Sequence, residues 1–255
     1  MPEAPEVYDY YKFVKDILNN EIVININLLS GKYIKNEPDN FNKLIKTLPL
    51  KLNKIIVKGK NIYMLFDNNY GLIFTHGMTG YWSDIKETHA RIHIQTMSNK
   101  DLYFIDPRNF GKLNIVCSLY TFKEKIDYLG PYVLNKKLTY QDFYSRIDKK
   151  QNSKVGIILM DQKYISGIGN YLRCDILWYC KINPETKIKD LSNKQKMLLY
   201  YNTINVCRYY CGFSHKLKFT PEDFDRDTFI YMQDDDPFGN IVYKKTFGSR
   251  TLHYI

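Results

Sequence analysis

The chain has 255 residues, with 37 Lys plus Arg against 27 Asp plus Glu and a formal net charge of +10. At 44% hydrophobic and 25% charged it is apolar enough to bury a core, which excludes a wholly disordered chain, and no run approaches the ~18 apolar residues of a membrane span. The positive excess favours a polyanionic partner. The odd, irregularly spaced set Cys117, Cys174, Cys180, Cys207 and Cys211 argues against a disulfide framework and for a reducing, intracellular compartment.

Val7, Tyr10, Tyr11, Val14, Ile17 and Leu18 recur at helical spacing and predict a first helix that ends at Asn19-Asn20. Short aliphatic strands follow at Ile22 to Ile24 and Ile26 to Leu29. The runs Lys54 to Phe66 and Leu72 to Thr75 flank turn residues 67–71 and predict a hairpin. Arg91-Ile92-His93-Ile94-Gln95 alternates as a strand does, and a turn at Ser98-Asn99-Lys100 leads to Leu102 through Ile105. Beyond about residue 125 the pattern becomes helical. Thr139 with Asp142 and Ser192 with Gln195 read as capping boxes, Ser153 as a cap for Lys154 to Met160, Asn170 as the residue before a helix from Tyr171 to Cys180, and Thr220-Pro221 as a cap followed by Pro at the first helical position. The last thirty residues return to strands at Phe229 to Met232, Ile241 to Thr246 and Thr251 to Ile255. The expected fold class is α+β, in three parts: a β domain over residues 1–125, a helical domain over 126–225 and a terminal β-hairpin over 226–255.

The chemistry starts at the N-terminus, Met1-Pro2-Glu3-Ala4-Pro5-Glu6. Removal of Met before Pro leaves a secondary amine. An α-amino group has a pKa near ~8, against ~10.4 for Lys, so far more of it is free to act as a nucleophile at neutral pH. Its adduct with a carbonyl-like carbon is an iminium ion that has no nitrogen-bound proton to lose, and Glu3 beside it is placed for proton transfer. Taken alone, Met-Pro is more often incidental.

Other motifs follow in order: Lys58-Gly59-Lys60, Thr75-His76-Gly77-Met78-Thr79-Gly80, Asp106-Pro107-Arg108-Asn109-Phe110-Gly111, and Asp161-Gln162 through Gly167-Ile168-Gly169-Asn170. As single residues, Met78 and Phe110 read as core, Lys60 and Arg108 as solvated charges, His76 and His215 as structural, and Asn170 as a helix cap. Cys207, Cys211 and His215 fall four apart, as on one helix face, where packing of small thiols explains them better than a ligand row.

Together these motifs resemble the Fpg/Nei family of DNA glycosylases over nearly the whole chain. The resemblance implies an N-terminal antiparallel β-sandwich preceded by a helix, then a helix–two-turn–helix domain. It implies a catalytic set of Pro2 as nucleophile, Glu3 as its proton-transfer partner and Lys60, with Lys60, Asn170 and Arg250 on DNA phosphates. Met78, Arg108 and Phe110 would fill the gap left by a flipped base. Many members carry a four-Cys zinc finger. Here no Cys follows Cys211, and Gly248-Ser249-Arg250-Thr251 with Tyr254 resembles the zincless-finger, endonuclease VIII-like branch of animals and viruses. That branch implies a hairpin held by packing, through Phe229, Tyr231, Phe238, Tyr243 and Phe247. Ala4 departs from the commoner Gly, Asn109 from the usual residue at that place, and Thr75-His76 from the usual His-Leu.

The function implied is a monomeric base-excision glycosylase and AP lyase that uses no metal or other cofactor. It would act on double-stranded DNA with oxidised bases or abasic sites, by β,δ-elimination, in a nucleus or a viral or bacterial replication compartment. Oxidised pyrimidines such as thymine glycol and dihydrouracil are the expected lesions. Two alternatives stay open: a purine-type enzyme for 8-oxoguanine and formamidopyrimidines, and a non-catalytic DNA-binding protein with the same helix–two-turn–helix element.

Overall fold

A computed structural model of the chain describes residues 1–248 and 250–255, so Ser249 of the fingertip pattern lies outside the described residues. Two compact units are present: residues 1–2 with 6–128, and residues 3–5 with 129–255.

The first unit begins with helix α1 (Ala4–Leu18), of which Ala4 and Pro5 belong to the second unit. It buries Val7, Val14 and Leu18, the stripe that the sequence periodicity outlines. Next come β1 (Ile22–Leu28), the short helices α2 (Lys32–Lys35) and α3 (Phe41–Ile45), and strands β2 (Leu50–Lys58), β3 (Asn61–Phe66), β4 (Gly71–Thr75), β5 (Tyr81–Ser83), β6 (Ala90–Thr96), β7 (Asp101–Ile105) and β8 (Lys112–Val116). Helix α4 (Leu119–Tyr128) closes the unit.

All strand pairs are antiparallel, in the order β5-β7-β6-β1-β2-β3-β4-β8. Only Ile22↔Lys51 and Val23↔Leu50 join β1 to β2, so the sheet turns a corner there into two halves. Ile92, Ile94, Leu102 and Phe104 from one half meet Leu52, Ile62, Met64, Phe66, Leu72 and Phe74 from the other in one core, which gives the sandwich. Two sequence boundaries shift. Strand β1 runs unbroken through Asn25, with a register shift that absorbs the polar residue. The run from Lys54 to Phe66 is two strands, because Gly59 adopts φ +64° and turns the chain between Lys58 and Asn61.

The second unit is helical: α5 (Tyr140–Ile147), α6 (Val155–Ile158), α7 (Asn170–Tyr179) and α8 (Asn193–Tyr210), followed by the hairpin β9 (Tyr243–Phe247) and β10 (Arg250–Tyr254). Both capping boxes, Thr139 with Asp142 and Ser192 with Gln195, form as the spacing predicts. Ser153 does not cap; Lys154 stands at the N-cap of α6, which is one turn long. The Thr220–Asp223 box heads only a single 3₁₀ turn, Pro221–Phe224, closed by Asp225 in the left-handed region. Because α8 ends at Tyr210, His215 is not on it and does not share a helix face with buried Cys207 and Cys211. Among the described residues no helix is long and apolar enough to cross a membrane.

Phe229 to Met232 is not a strand. Its backbone N–H groups find a carboxylate instead of a ladder: Phe229, Ile230 and Tyr231 donate to buried Asp175 at 3.2, 3.1 and 3.2 Å, and the Tyr210 hydroxyl donates to it at 2.5 Å. An apolar run in the sequence cannot reveal such a competitor for the backbone. The hairpin rests on Cys174, Trp178, Phe229, Val242, Phe247 and Leu252, with Trp178 and Phe229 stacked at 4.8 Å. Of the five aromatics expected to hold it, Phe229 and Phe247 are buried and Tyr231 packs at the edge; Phe238 and Tyr243 are exposed.

Candidate active site and nucleic-acid interface

In the second unit the chain start is joined to the start of α7. Gly167 sits at φ +108°, and a Cβ there would come within 2.9 Å of Ala4 Cβ and of a Val133 methyl, so only glycine allows the approach. Gln162 braces the turn: its Oε1 accepts from Gly167 N–H at 2.9 Å and its Nε2 donates to the Ile168 carbonyl at 2.8 Å. Ala4 N–H then donates to the Gly167 carbonyl at 2.9 Å. Glu3, only 3% exposed, accepts from the N–H groups of Gly169 (2.6 Å), Tyr171 (3.1 Å) and Leu172 (3.3 Å). A helix N-terminus offers just these unpaired donors and a favourable dipole to an anion. The anion that they hold here is the Glu3 carboxylate. Pro2, half-buried, is the residue next to this carboxylate.

Asn170 is the first residue of α7 and does not cap it; Gly169 stands at the N-cap. Its Nδ2 donates to the Thr251 carbonyl at 2.8 Å, and its Oδ1 accepts from an Arg173 guanidinium N–H. Asn170 thus meets the strand that begins with exposed Arg250.

In the first unit, two turns carry the other expected residues. Met78 lies half-buried in the turn after β4, where Gly77 takes φ +64° and Gly80 N–H donates to the His76 carbonyl at 2.9 Å. Arg108 and Phe110 lie exposed on the turn after β7, with the guanidinium carbon 4.9 Å from the Phe110 ring centroid. One buried carboxylate ties the turns together. Asp106 accepts from the Thr79 hydroxyl at 3.2 Å and from Gly111 N–H at 2.6 Å, while Arg108 N–H donates to Thr79 Oγ1 at 3.3 Å. A Cβ on Gly77 would lie 2.6 Å from the Phe110 carbonyl carbon, so the turns are in direct contact.

Arg91, which sequence reasoning passed over, supports the turn after β7. It donates to the carbonyls of Asp106 (2.9 Å) and Pro107 (3.3 Å) and to Ser30 Oγ (3.0 Å). A charged residue heading an otherwise buried alternation was the only signal for it.

Lys60 is half-buried on the β2–β3 turn. His76 is 1% exposed; its Nε2 accepts from the Trp82 indole N–H at 2.9 Å, and its ring packs against Tyr10 and Phe104. Burial pushes its pKa down to about 3, against the opposing pull of the Lys60 backbone carbonyl. It is a neutral structural histidine that fixes the base of the Met78 turn.

Comparison with known proteins agrees with this layout. Residues 1–113 match the formamidopyrimidine-DNA glycosylase N-terminal domain, and residues 129–209 match the formamidopyrimidine-DNA glycosylase H2TH domain. A formamidopyrimidine-DNA glycosylase of Mycoplasma genitalium is 29% identical over 215 residues, covering 81% of this chain and 74% of that one. One from Prochlorococcus marinus is 25% identical, covering 100% and 98%. Among solved structures, Lactococcus lactis Fpg bound to DNA containing N7-benzyl-Fapy-dG shares the fold at a TM-score of 0.80 and 19% identity, covering 100% of this chain and 98% of that one. MutM with carbocyclic 8-oxo-G DNA does so at 0.81 and 20%, covering 99% and 97%. The chain belongs to the formamidopyrimidine-DNA glycosylase (Fpg/Nei) family of base-excision repair enzymes.

Proposed function

We propose that the chain excises oxidised bases from double-stranded DNA and then cuts the strand, as a combined glycosylase and AP lyase. The observation that carries this reading is the seat of Glu3. Three backbone N–H donors hold its carboxylate in place, one residue along the chain from Pro2. A sequence-neighbour carboxylate kept in one place is what a nucleophilic amine needs for proton transfer at a single carbon.

With Met1 removed, the Pro2 nitrogen attacks C1′ of the damaged nucleoside. The C1′–base bond breaks, and the base leaves with a proton. Glu3 transfers protons as O4′ is protonated and the sugar opens to an iminium ion. The iminium acidifies the C2′–H; its loss expels the 3′ phosphate, and a second elimination expels the 5′ phosphate. Water then releases the sugar remnant and restores the amine. Every step is acid–base and iminium chemistry, so no metal or redox group is called for.

Lys60, Asn170 and Arg250 bind phosphates around the lesion in this reading. Met78, Arg108 and Phe110 fill the vacated stack. The locking of their two turns by Asp106 supports that role, because a wedge must be rigid to offset the unstacking cost of a few kcal/mol. The Arg108–Phe110 stack is a planar, cationic face suited to bases.

Oxidised pyrimidines are the preferred lesions on the resemblance of the C-terminal hairpin to the zincless, endonuclease VIII-like branch. A second reading, 8-oxoguanine and ring-opened purines, is favoured by the names of the relatives, which are formamidopyrimidine-DNA glycosylases. A panel of single-lesion duplexes separates the two by relative excision rate. For the chemistry, borohydride added to the protein with an abasic duplex should trap a covalent complex, and protein whose Met1 is retained should give none. Binding of that duplex without any cross-link would favour the non-catalytic alternative.

A further inference from the structure

Arg173, in the first half of α7, is 1% exposed, yet no carboxylate lies in contact with it among the described ion pairs. A buried guanidinium is a poor stabiliser, since taking it out of water costs several kcal/mol that an apolar residue of similar size would not incur. Its contacts are specific. One terminal nitrogen donates to the Gly156 carbonyl at 3.2 Å, the other donates to Asn170 Oδ1, and the guanidinium carbon lies 5.8 Å from the Phe247 ring centroid.

We infer that Arg173 is a positioning residue: it fixes the orientation of the Asn170 carboxamide, so that one Nδ2–H is bound to Thr251 and the other is presented to a DNA phosphate. This rests on the reading of Asn170 as a phosphate ligand. A carboxamide has an acceptor side and a donor side that are nearly identical in shape, so its orientation is set only by its partners. Here the partners are of opposite kind. Arg173 has only donors to offer, and the Thr251 carbonyl only accepts. Turning the amide over would set donor against donor and acceptor against acceptor. In the observed orientation the Nδ2 group spends one of its two protons on Thr251 O, which leaves one for a ligand. Arg173 is in turn held by α6 through Gly156 and by the hairpin through Phe247. Lysine retains the charge but not the planar fork, and so cannot reach both acceptors.

The test is binding to a duplex carrying a tetrahydrofuran abasic-site analogue, which the chemistry cannot consume, with R173K, R173M, N170A and R173M/N170A. A hydrogen bond to a charged group contributes about 1.5–3 kcal/mol, so each single substitution should raise Kd roughly tenfold or more. The double variant should bind within about twofold of N170A, because Arg173 has nothing left to position. Additive losses overturn the inference, as does wild-type affinity in R173K, since charge alone would then suffice. An unchanged Kd with a reduced single-turnover excision rate also overturns it, because Arg173 would then act through Glu3.

The Asn170 side-chain NH₂ resonances give a readout independent of DNA. In the wild type the proton on Thr251 should exchange slowly and its partner fast, and R173K should abolish the difference. Retained protection in R173K overturns the inference even if R173M fails to fold. If N170A binds as well as the wild type, the phosphate role of Asn170 falls, and the resonances alone then decide the orientation.

Discussion

His76 makes the stability of the first unit depend on pH in one direction. Its folded pKa of about 3 lies below the ordinary 6.5 because the ring is buried. A depressed histidine contributes stability that is present above the unfolded pKa and is lost as pH falls through 6.5 toward 3. The structural reason is the Trp82 indole N–H, which points at Nε2 from 2.9 Å. A proton on Nε2 would place two N–H groups head to head in a dry pocket. Between pH 7.5 and pH 5 the loss works out at about 2 kcal/mol, and it reaches about 4 kcal/mol near pH 3. Trp82 and Trp178 lie in different units, so in a Trp178→Phe background Trp82 emission reports urea unfolding of the first unit alone. His76→Gln keeps an acceptor for the indole but does not titrate. Its unfolding free energy should lack the ~2 kcal/mol difference between pH 7.5 and pH 5 that the histidine form shows. Equal pH dependence in the two proteins would refute the reasoning and free His76 for a role in proton transfer.

Asp175 predicts the opposite slope in the second unit. Burial raises its pKa to about 6, beyond the lowering effect of the Tyr210 hydroxyl and the three backbone donors. A raised carboxyl contributes stability that is full below the ordinary 3.8 and lost as pH rises through 6, here on the order of 3 kcal/mol; urea unfolding followed by Trp178 in a Trp82→Phe background should show this loss, and Asp175→Asn should remove it. Gly77→Ala forces a side chain into φ +64° and against the Phe110 carbonyl carbon. It should cost roughly 1–3 kcal/mol and weaken binding of an abasic-analogue duplex, and full affinity would show that the two turns need not be locked. Arg250→Ala should leave the melting temperature unchanged and reduce the slope of log K against log salt by about 0.9, one phosphate's worth; an unchanged slope would remove Arg250 from the interface.

Much of the molecule is legible in one dimension because its rules are local. Helix α1 follows from the 3.6-residue recurrence of Val7, Val14 and Leu18, and α5 and α8 from capping boxes whose partners sit three residues apart. The N-terminal Pro2-Glu3 pair was visible because a secondary amine beside a carboxylate is a nucleophile with its proton-transfer partner, and the glycines of 167–169 because tight turn geometry demands that residue type. Where backbone groups had a partner distant in sequence, the local rule failed: Phe229 to Met232 is an apolar run of strand-forming residues, but Asp175 takes the N–H groups of its first three.

Order along the chain thus determined the elements, the family motifs and the candidate residues Pro2, Glu3, Lys60, Met78, Arg108, Phe110, Asn170 and Arg250. Only the tertiary structure decided what those groups touch. It seated Glu3 on amides 166 to 169 residues away and locked the Met78 and Phe110 turns through Asp106. It also bound Asn170 between Arg173 and Thr251. A hydrogen bond needs atoms within about 3 Å and correctly aimed, and a residue's type or its spacing along the chain specifies neither condition.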